Sequence, residues 1–433
     1  MAQRSRTSGL IRVATAALAA VCIGAAGAEA GGLPCGGYDV QVIQHPCPFP
    51  FWPSVTTVTG LNNRGQVCGY YGDCNQPTIT RPFIWTPETG LVTIPTPPGA
   101  SSVWPADIND HGVIVGTMSL AGVGFRGFVY EDGEWTTLEP PFPEGDSEGF
   151  TINNAGTVCG KRSLIPAQTP SNAFKWTARD GFTDMPDVGQ STQARGINEG
   201  GVIVGFAGGI ALPGQRGFLW IDDTVTFLTQ PEESLWYSAV SINAAGAILG
   251  GATYQQPKST ATFGRPVVWE GDAMTILPLL DGFASCGGSD IDDNGVVVGR
   301  CQNPGMSNQA RGVIWFDNSP LLLGTLIDSE PAVVIQLGRR INDNGQILAS
   351  GKDKDGFTVG LLLTPEFGQL GDLNCDGVVN GLDLGILLAN WSIPPSALGC
   401  RGLPSSLCAA DLNGDGLVNG LDLGILLASW TFE

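Results

Sequence analysis

Positive charge is scarce in this chain. Five of its 433 residues are Lys and two are His. Charged residues make up 14% of the sequence, against a typical ~25%. Lys and Arg total 21 against 41 Asp and Glu, a net charge of −20. A duplex-binding surface meets phosphates with clustered Lys and Arg, so nucleic acid is a poor partner. Anionic membrane is disfavoured for the same reason, whereas cations, calcium above all, suit the acidic balance. Coiled coils are excluded, because Lys, Glu and Arg are too few and Gly (62) and Pro (30) too many. There is no C-x-x-C, which disfavours zinc. There is no G-x-S-x-G, H-E-x-x-H or Walker loop. A Ser-His-Asp triad has only His45 or His111 to draw on, and His111 sits in a repeat turn. Paired carboxylates for glycoside cleavage stay open, since acidic residues are plentiful.

Long apolar runs are also missing beyond the N-terminus. There, Arg4, Arg6 and Arg12 precede a small apolar run, Val13 to Gly27, and Ala28-Glu29-Ala30. That order reads as a secretory signal over residues 1–30, too short and Ala-rich for a membrane span. Val21 before Cys22 is too bulky for a lipoprotein site. The expectation is a soluble exported protein, extracellular or at the cell surface. Removing Cys22 leaves ten of eleven Cys, an even number that suits an oxidising compartment. Near neighbours suggest the pairs Cys35–Cys47, Cys68–Cys74, Cys286–Cys301 and Cys400–Cys408, with Cys159 and Cys375 left over.

What is present is apolar and turn-rich. Hydrophobic residues make up 42% of the chain, including 18 Phe and 11 Trp, enough for sizeable cores. One phrase, Ile-Asn-x-x-Gly-x-Val-x-Gly with small variations, returns seven times. Its Asn or Asp stands at positions 62, 109, 153, 198, 243, 292 and 342, spaced 47, 44, 45, 45, 49 and 50 apart. A second phrase follows each, as in Phe83-Ile84-Trp85, Phe218-Leu219-Trp220 and Val313-Ile314-Trp315. Each unit reads as four short strands, with an Asn/Asp-x-x-Gly hairpin after the first. Four strands at this period are the signature of a propeller blade. The fold expected is therefore all-β: a seven-bladed β-propeller over residues 31–367, plus a small α calcium-binding domain over 368–433. The seventh unit has little room for a fourth strand. Tyr38 to Gln44 alternates in period two and is expected to supply it from the N-terminus.

The repeated Asn is expected to bond turn backbone, and the Trp to fill space between blades. Arg81, Arg126, Arg216, Arg265 and Arg311 share one blade position. They read either as a ring for anions or as Arg–Asp pairs between neighbouring blades. The repeats resemble the HAF family of extracellular repeats over about residues 50–365. This chain departs at the His, which is replaced by those Arg, by Asn172 and by Val359; Ala173-Phe174 keeps the Ala-Phe. The resemblance implies architecture more than activity.

The composition changes near residue 370. Two twelve-residue loops, Asp372 to Asp383 and Asp411 to Asp422, carry oxygen donors at positions 1, 3, 5, 9 and 12 and Gly at 6. This is the EF-hand type of calcium pattern, with Asp for Glu at position 12. Each loop is followed by one helical stretch, Leu384 to Trp391 and Leu423 to Trp430. A loop plus one helix, present twice, resembles a dockerin. The resemblance implies one calcium on Asp372, Asn374, Asp376, Asn380, Asp383 and the Val378 carbonyl. It implies a second on Asp411, Asn413, Asp415, Asn419, Asp422 and the Leu417 carbonyl. It also implies a cohesin-like protein partner. Gly381-Leu382 and Gly420-Leu421 stand where many dockerins carry Ser/Thr-type pairs.

These readings favour a secreted, non-catalytic propeller for binding or display, tethered through the calcium-dependent tail. The alternative is an extracellular polysaccharide-degrading enzyme with its active site in the propeller mouth.

Overall fold

The structure is a computed structural model. It describes residues 37–45, 55–140 except 74 and 77, 145–163, 171–208, 214–327 except 257, 258, 304, 307, 308 and 317, 333–366, 371–391 except 374–377 and 390, and 410–431 except 411 and 413–417. The signal segment, Cys74, Cys375 and the Cys35–Cys47 and Cys400–Cys408 pairs lie outside these residues. The chain divides into two compact units, residues 40–364 and residues 1–39 with 365–433.

Seven four-stranded sheets follow one another as blades. Blade 1 runs through strand A (Thr56–Leu61), B (Val67–Gly72), C (Thr80–Thr86) and D (Gly90–Thr93), all antiparallel. Blades 2 to 6 repeat this order, beginning at Ala100, Ser147, Thr192, Trp236 and Ser285. Blade 7 takes A (Val334–Ile341), B (Ile347–Lys352) and C (Thr358–Pro365) from the C-terminal side. Its outermost strand is Tyr38–Ile43. The ring is thus closed by an N-terminal strand, as the shortage of residues after Leu363 predicts.

The two glycines of the repeat serve different purposes. The turn glycine has φ between 73° and 87° in all seven copies, a region that an L side chain enters only with strain. The second glycine lies under strand A. A Cβ there would sit 1.9 to 2.2 Å from a strand A carbonyl oxygen in six blades, for example Glu148 O above Gly160. In blade 7 Ala349 takes this place, opposite Gly338, on a strand A that carries a second irregularity between Ile335 and Leu337.

The propeller core is divided into layers between blades. Six buried apolar clusters each draw on two neighbouring blades, such as Val204 with Tyr237, Ile248 and Trp269 between blades 4 and 5. Trp220, Trp269 and Trp315 are at most 2% exposed. The indoles of Trp269 and Trp315 donate to Thr229 O and Pro278 O in the preceding inter-blade links, at 2.9 and 2.8 Å. The recurring Trp is therefore a packing residue with its one donor satisfied.

Cysteine pairing is partly as expected. Cys286 and Cys301 face each other across strands A and B of blade 6 and are bonded. The Cys68–Cys74 expectation is corrected: Cys68 is free and fully buried, as is Cys159. The side chain of Cys68 points into the layer between blades 1 and 2, packed with Ile94, Ile108 and Phe128, which removes it from the strand end that leads to residue 74.

In the tail unit, helices α1 (Gly381–Ala389) and α2 (Gly420–Ala428) pack through Val379, Leu387, Leu412, Val418 and Leu426. Both begin three residues earlier than the apolar run suggests, inside the loop itself.

Candidate functional site

The propeller axis is lined by strand A and the turn after it. There the repeated Asn does more than cap its turn. Its Oδ1 accepts turn amides, as from His111 and Val113 to Asn109, both at 3.0 Å. Its Nδ2 donates to the backbone carbonyl of the equivalent residue in the next blade. Asn62 reaches Asn109 (2.8 Å), Asn109 reaches Asn153, Asn153 reaches Asn198 and Asn198 reaches Asn243 (each 3.1 Å). Asn243 reaches Asp292 (2.9 Å) and Asn342 reaches Asn62 (2.9 Å), which makes six links of a seven-membered circle. A second circle runs beside it. The amide of the residue after each Asn donates to the side chain of its counterpart, as in Asn63 to Asp110 (2.7 Å), Asp110 to Asn154 (2.8 Å) and Asp343 to Asn63 (3.0 Å). Sequence reasoning found the turn role and missed both circles, because the partner is ~45 residues away.

Each circle has one break. Ala244 offers no acceptor to Glu199, so the second circle stops there. In the first, Asp292 replaces Asn and has no amide to donate to Asn342. Asp292 is 3% exposed. Burial, with a smaller push from Asp343, raises its pKa to about 7 against the opposing turn hydrogen bonds from Val296 and Asn294.

Between the two faces the channel holds a charged centre. Strand A bulges in every blade, at the residues between Val58 and Gly60, Pro105 and Asp107, Gly149 and Thr151, Ala194 and Gly196, Ala239 and Ser241, Gly288 and Asp290, and Gly338 and Arg340. A bulge re-aims side chains locally, and here the bulged residues line the axis. Asp107 accepts from the Thr151 hydroxyl at 2.6 Å and from Ile152 N at 3.3 Å. Asp290 accepts from the Ser241 hydroxyl at 2.6 Å and from Ile341 N at 3.2 Å. Both carboxylates therefore tie neighbouring blades. Arg340 stands with them. Burial lowers its pKa, but Asp290 and Asp107 outweigh this and hold it above the ordinary value.

The two mouths differ in sign. One is ringed by Asp110, Glu199, Asp293 and Asp343, with Asn63 and Asn154. The other opens into a cavity of about 600 Å³ lined by Arg195, Arg339, Arg340, Glu148 and the aromatic side chains Tyr70, Trp104, Phe125 and Phe150.

The Arg series read from the repeat is elsewhere. Arg81 pairs with Asp73 at 3.0 Å, Arg126 with Glu139 at 3.2 Å, and Arg216 stacks on Phe227 at 3.8 Å. None lines either mouth, and general Arg–Asp pairing between neighbouring blades is not found either: Arg81 pairs within its own blade, only Arg126 reaches towards the next blade, at 3.9 Å from Asp146, and Arg265 and Arg311 donate to backbone carbonyls. The channel arginines escape sequence inspection because they occupy the bulge, where each blade carries a different residue. His45 stacks on Tyr71 at 3.8 Å and His111 lies in its turn; neither lines the channel.

In the tail, Asp372, Val378, Asn380, Asp383, Asn419 and Asp422 are among the described residues. Asn374, Asp376, Asp411, Asn413, Asp415 and Leu417 are outside them. Asn419 caps α2 through Leu421 N, and Asp422 accepts from Asn419 N, both at 2.8 Å. Asn380 and Asp383 repeat this at α1, and Asp383 also accepts from Leu373 N at 2.8 Å. Position 12 thus fastens the loop's two ends together. Asp383 and Asp422 are fully buried, and Asp372 is 7% exposed. Residues 371–433 contain six Asp but a single basic residue, Arg401. Buried carboxylates need a compensating charge. An all-oxygen donor set of this kind fits a hard cation such as calcium.

Comparison with known proteins agrees. Residues 370–428 match the family described as dockerin type I domain. No curated protein matches the chain. The β-propeller domain of the Trilobed protease from Pyrococcus furiosus, which has an open velcro topology, is similar at 11% identity with TM-score 0.50. The match covers 72% of this chain and 94% of that one. Oligogalacturonate lyase from Vibrio parahaemolyticus is similar at 10% identity with TM-score 0.49, covering 76% and 97%. The likeness to the Pyrococcus domain speaks for fold alone. The chain is a seven-bladed β-propeller carrying a dockerin type I domain at 370–428, a module that binds calcium and implies a cohesin partner.

Proposed function

We propose that this is an exported binding or display propeller, held in an extracellular assembly by its tail. Residues 1–30 direct export. Residues 31–367 form the propeller, of the HAF repeat type, and 368–433 the tether. The observation that carries the reading is the tail, where buried Asp383 and Asp422 each fasten a calcium-type loop to its helix. Two ions are assigned, one per loop, on the residues named above. Bound calcium supplies the positive charge that lets each loop's carboxylates converge. The non-catalytic assignment is supported by the deepest channel carboxylates, Asp107 and Asp290, which act as inter-blade acceptors.

The mature full-length chain passed over immobilised type I cohesins is expected to bind in millimolar calcium and to dissociate in EGTA. Binding that ignores EGTA, or no binding to any cohesin, overturns the tether. Incubation with a polysaccharide panel is expected to release no reducing ends or unsaturated sugars. Release from any substrate overturns the non-catalytic reading in favour of the enzyme.

A further inference from the structure

Cations are few in this chain, and five of the described ones sit against carboxylates. Arg81, Arg126, Lys161, Arg162 and Arg179 each have one within 4 Å. Arg195, Arg339 and Arg340 share one cavity, and among the described residues none of the three has a carboxylate within that distance. The cavity's own carboxylate, Glu148, is taken by Lys161 at 3.1 Å. Arg339 spends one N–H on the Ser350 hydroxyl at 3.3 Å, and Arg195 lies over the Phe150 ring at 4.6 Å. Arg340 is compensated by Asp290 and Asp107 further along the channel, which leaves Arg195 and Arg339 as the cations of this cavity with no ion pair among the described residues. Burial, and then the like charge of Arg340, push the pKa of Arg195 down. Arg339 is pushed down in the same way, by burial first and then by Arg340 and Arg300, so an anion beside Arg195 and Arg339 offsets the cost of their charges.

The rest of the wall combines aromatic side chains with the polar Thr59, Thr117 and Ser289. Trp104 and Phe125 lie 6.1 Å apart, and Phe125 is 44% exposed beside the opening. The cavity, about 600 Å³, falls within the ~300–1,000 Å³ of ligand pockets. The far mouth carries Asp110, Glu199, Asp293 and Asp343, which disfavours an anion approaching from that side.

We infer that the arginine mouth binds an acidic oligosaccharide: carboxylate or sulfate groups meet Arg195 and Arg339, and the sugar ring faces stack on Trp104 and Phe125. Planar guanidinium pairs with such oxyanions in forked hydrogen bonds, and a pyranose offers an apolar face to an aromatic ring while keeping its anionic group at the edge. This rests on the propeller being a binding module.

The test is calorimetric titration of the mature full-length chain, in calcium, with an oligouronate, a sulfated oligosaccharide and a neutral oligosaccharide of equal length. One acidic arm is expected to bind at least tenfold tighter than the neutral one, and which arm binds identifies the anionic group. Arg339→Gln and Arg195→Gln are each expected to weaken it at least tenfold, and Phe125→Ala about fivefold. Arg179→Gln, at an exposed pair with Asp180, leaves it unchanged. Unchanged circular dichroism and melting temperature mark the variants as folded. Equal affinity for the neutral sugar, or acidic binding untouched by Arg195→Gln and Arg339→Gln, overturns the assignment while leaving a binding propeller intact. Cleavage of the bound acidic chain upholds the recognition and overturns the non-catalytic reading instead.

Discussion

One repeated residue does three jobs in this propeller: Asn caps its hairpin, marks the blade edge and reaches into the next blade. Asp292 shows what the amide contributes by lacking it. A carboxylate has the same shape and caps the turn, as Asn294 N and Val296 N at 3.0 and 2.7 Å demonstrate. It has no hydrogen to give to Asn342 unless protonated. Its folded pKa is raised to about 7, well above the ordinary carboxylate range. The folded state then binds the proton more tightly than the unfolded state does. Stability contributed here is full below pH ~4 and is lost as pH rises towards 7. Asp292→Asn removes that dependence and restores the donor. Thermal melts are expected to show a stabilisation that grows from pH 5 to pH 8, with an upper bound of about 4 kcal/mol for a three-unit shift. Equal gains at both pH values would refute the protonation argument. The hairpin role of Asn was legible from spacing to Gly, because it is local. The inter-blade role was not, because nothing in one repeat names its neighbour.

At the scale of the element, the blade boundaries and the closing strand could be read from the sequence. Period-two alternation in Tyr38 to Gln44 and the missing fourth strand of unit seven were both visible. Without that strand, strand C of blade 7 becomes an unpaired edge that carries Leu361, Leu362 and Leu363, all fully buried in the complete sheet. A chain starting at residue 50 is therefore expected to melt earlier and to aggregate, measured by scanning calorimetry and light scattering. A melting temperature matching the mature chain would show the strand to be dispensable. The bulges in strand A were not legible. They depend on pairing geometry rather than residue type, and so the arginines they present were missed while those of the regular strand C drew notice. The start of α1 and α2 was misread for a related reason. Asn380 and Asn419 looked like ligands alone, and their capping bonds place the first helical turn inside the loop.

At the scale of the molecule, two units depend on different forces. The propeller buries its layers between blades and needs no ion for that. The tail has one small apolar cluster around Val379, Val418 and Leu426, and six Asp. Calcium removal is expected to unfold the tail and spare the propeller. Calorimetry should show two transitions, of which only the smaller moves on adding EGTA. A single transition that shifts as a whole would refute this. The ligand pattern made the tail the most legible part of the chain. The channel was the least, since its chemistry is assembled from seven distant repeats.

The strand that closes the ring also bears on mechanical load. A protein moored by its C-terminal module is pulled, in flowing medium, at the end of strand C of blade 7. That strand lies between two hydrogen-bonded neighbours, strand B and the N-terminal strand. Force along it shears two ladders at once, where an edge strand would offer one. The anchor point is thus a strand gripped on both sides, and the N-terminus, far away in sequence, acts as the second jaw of the clamp.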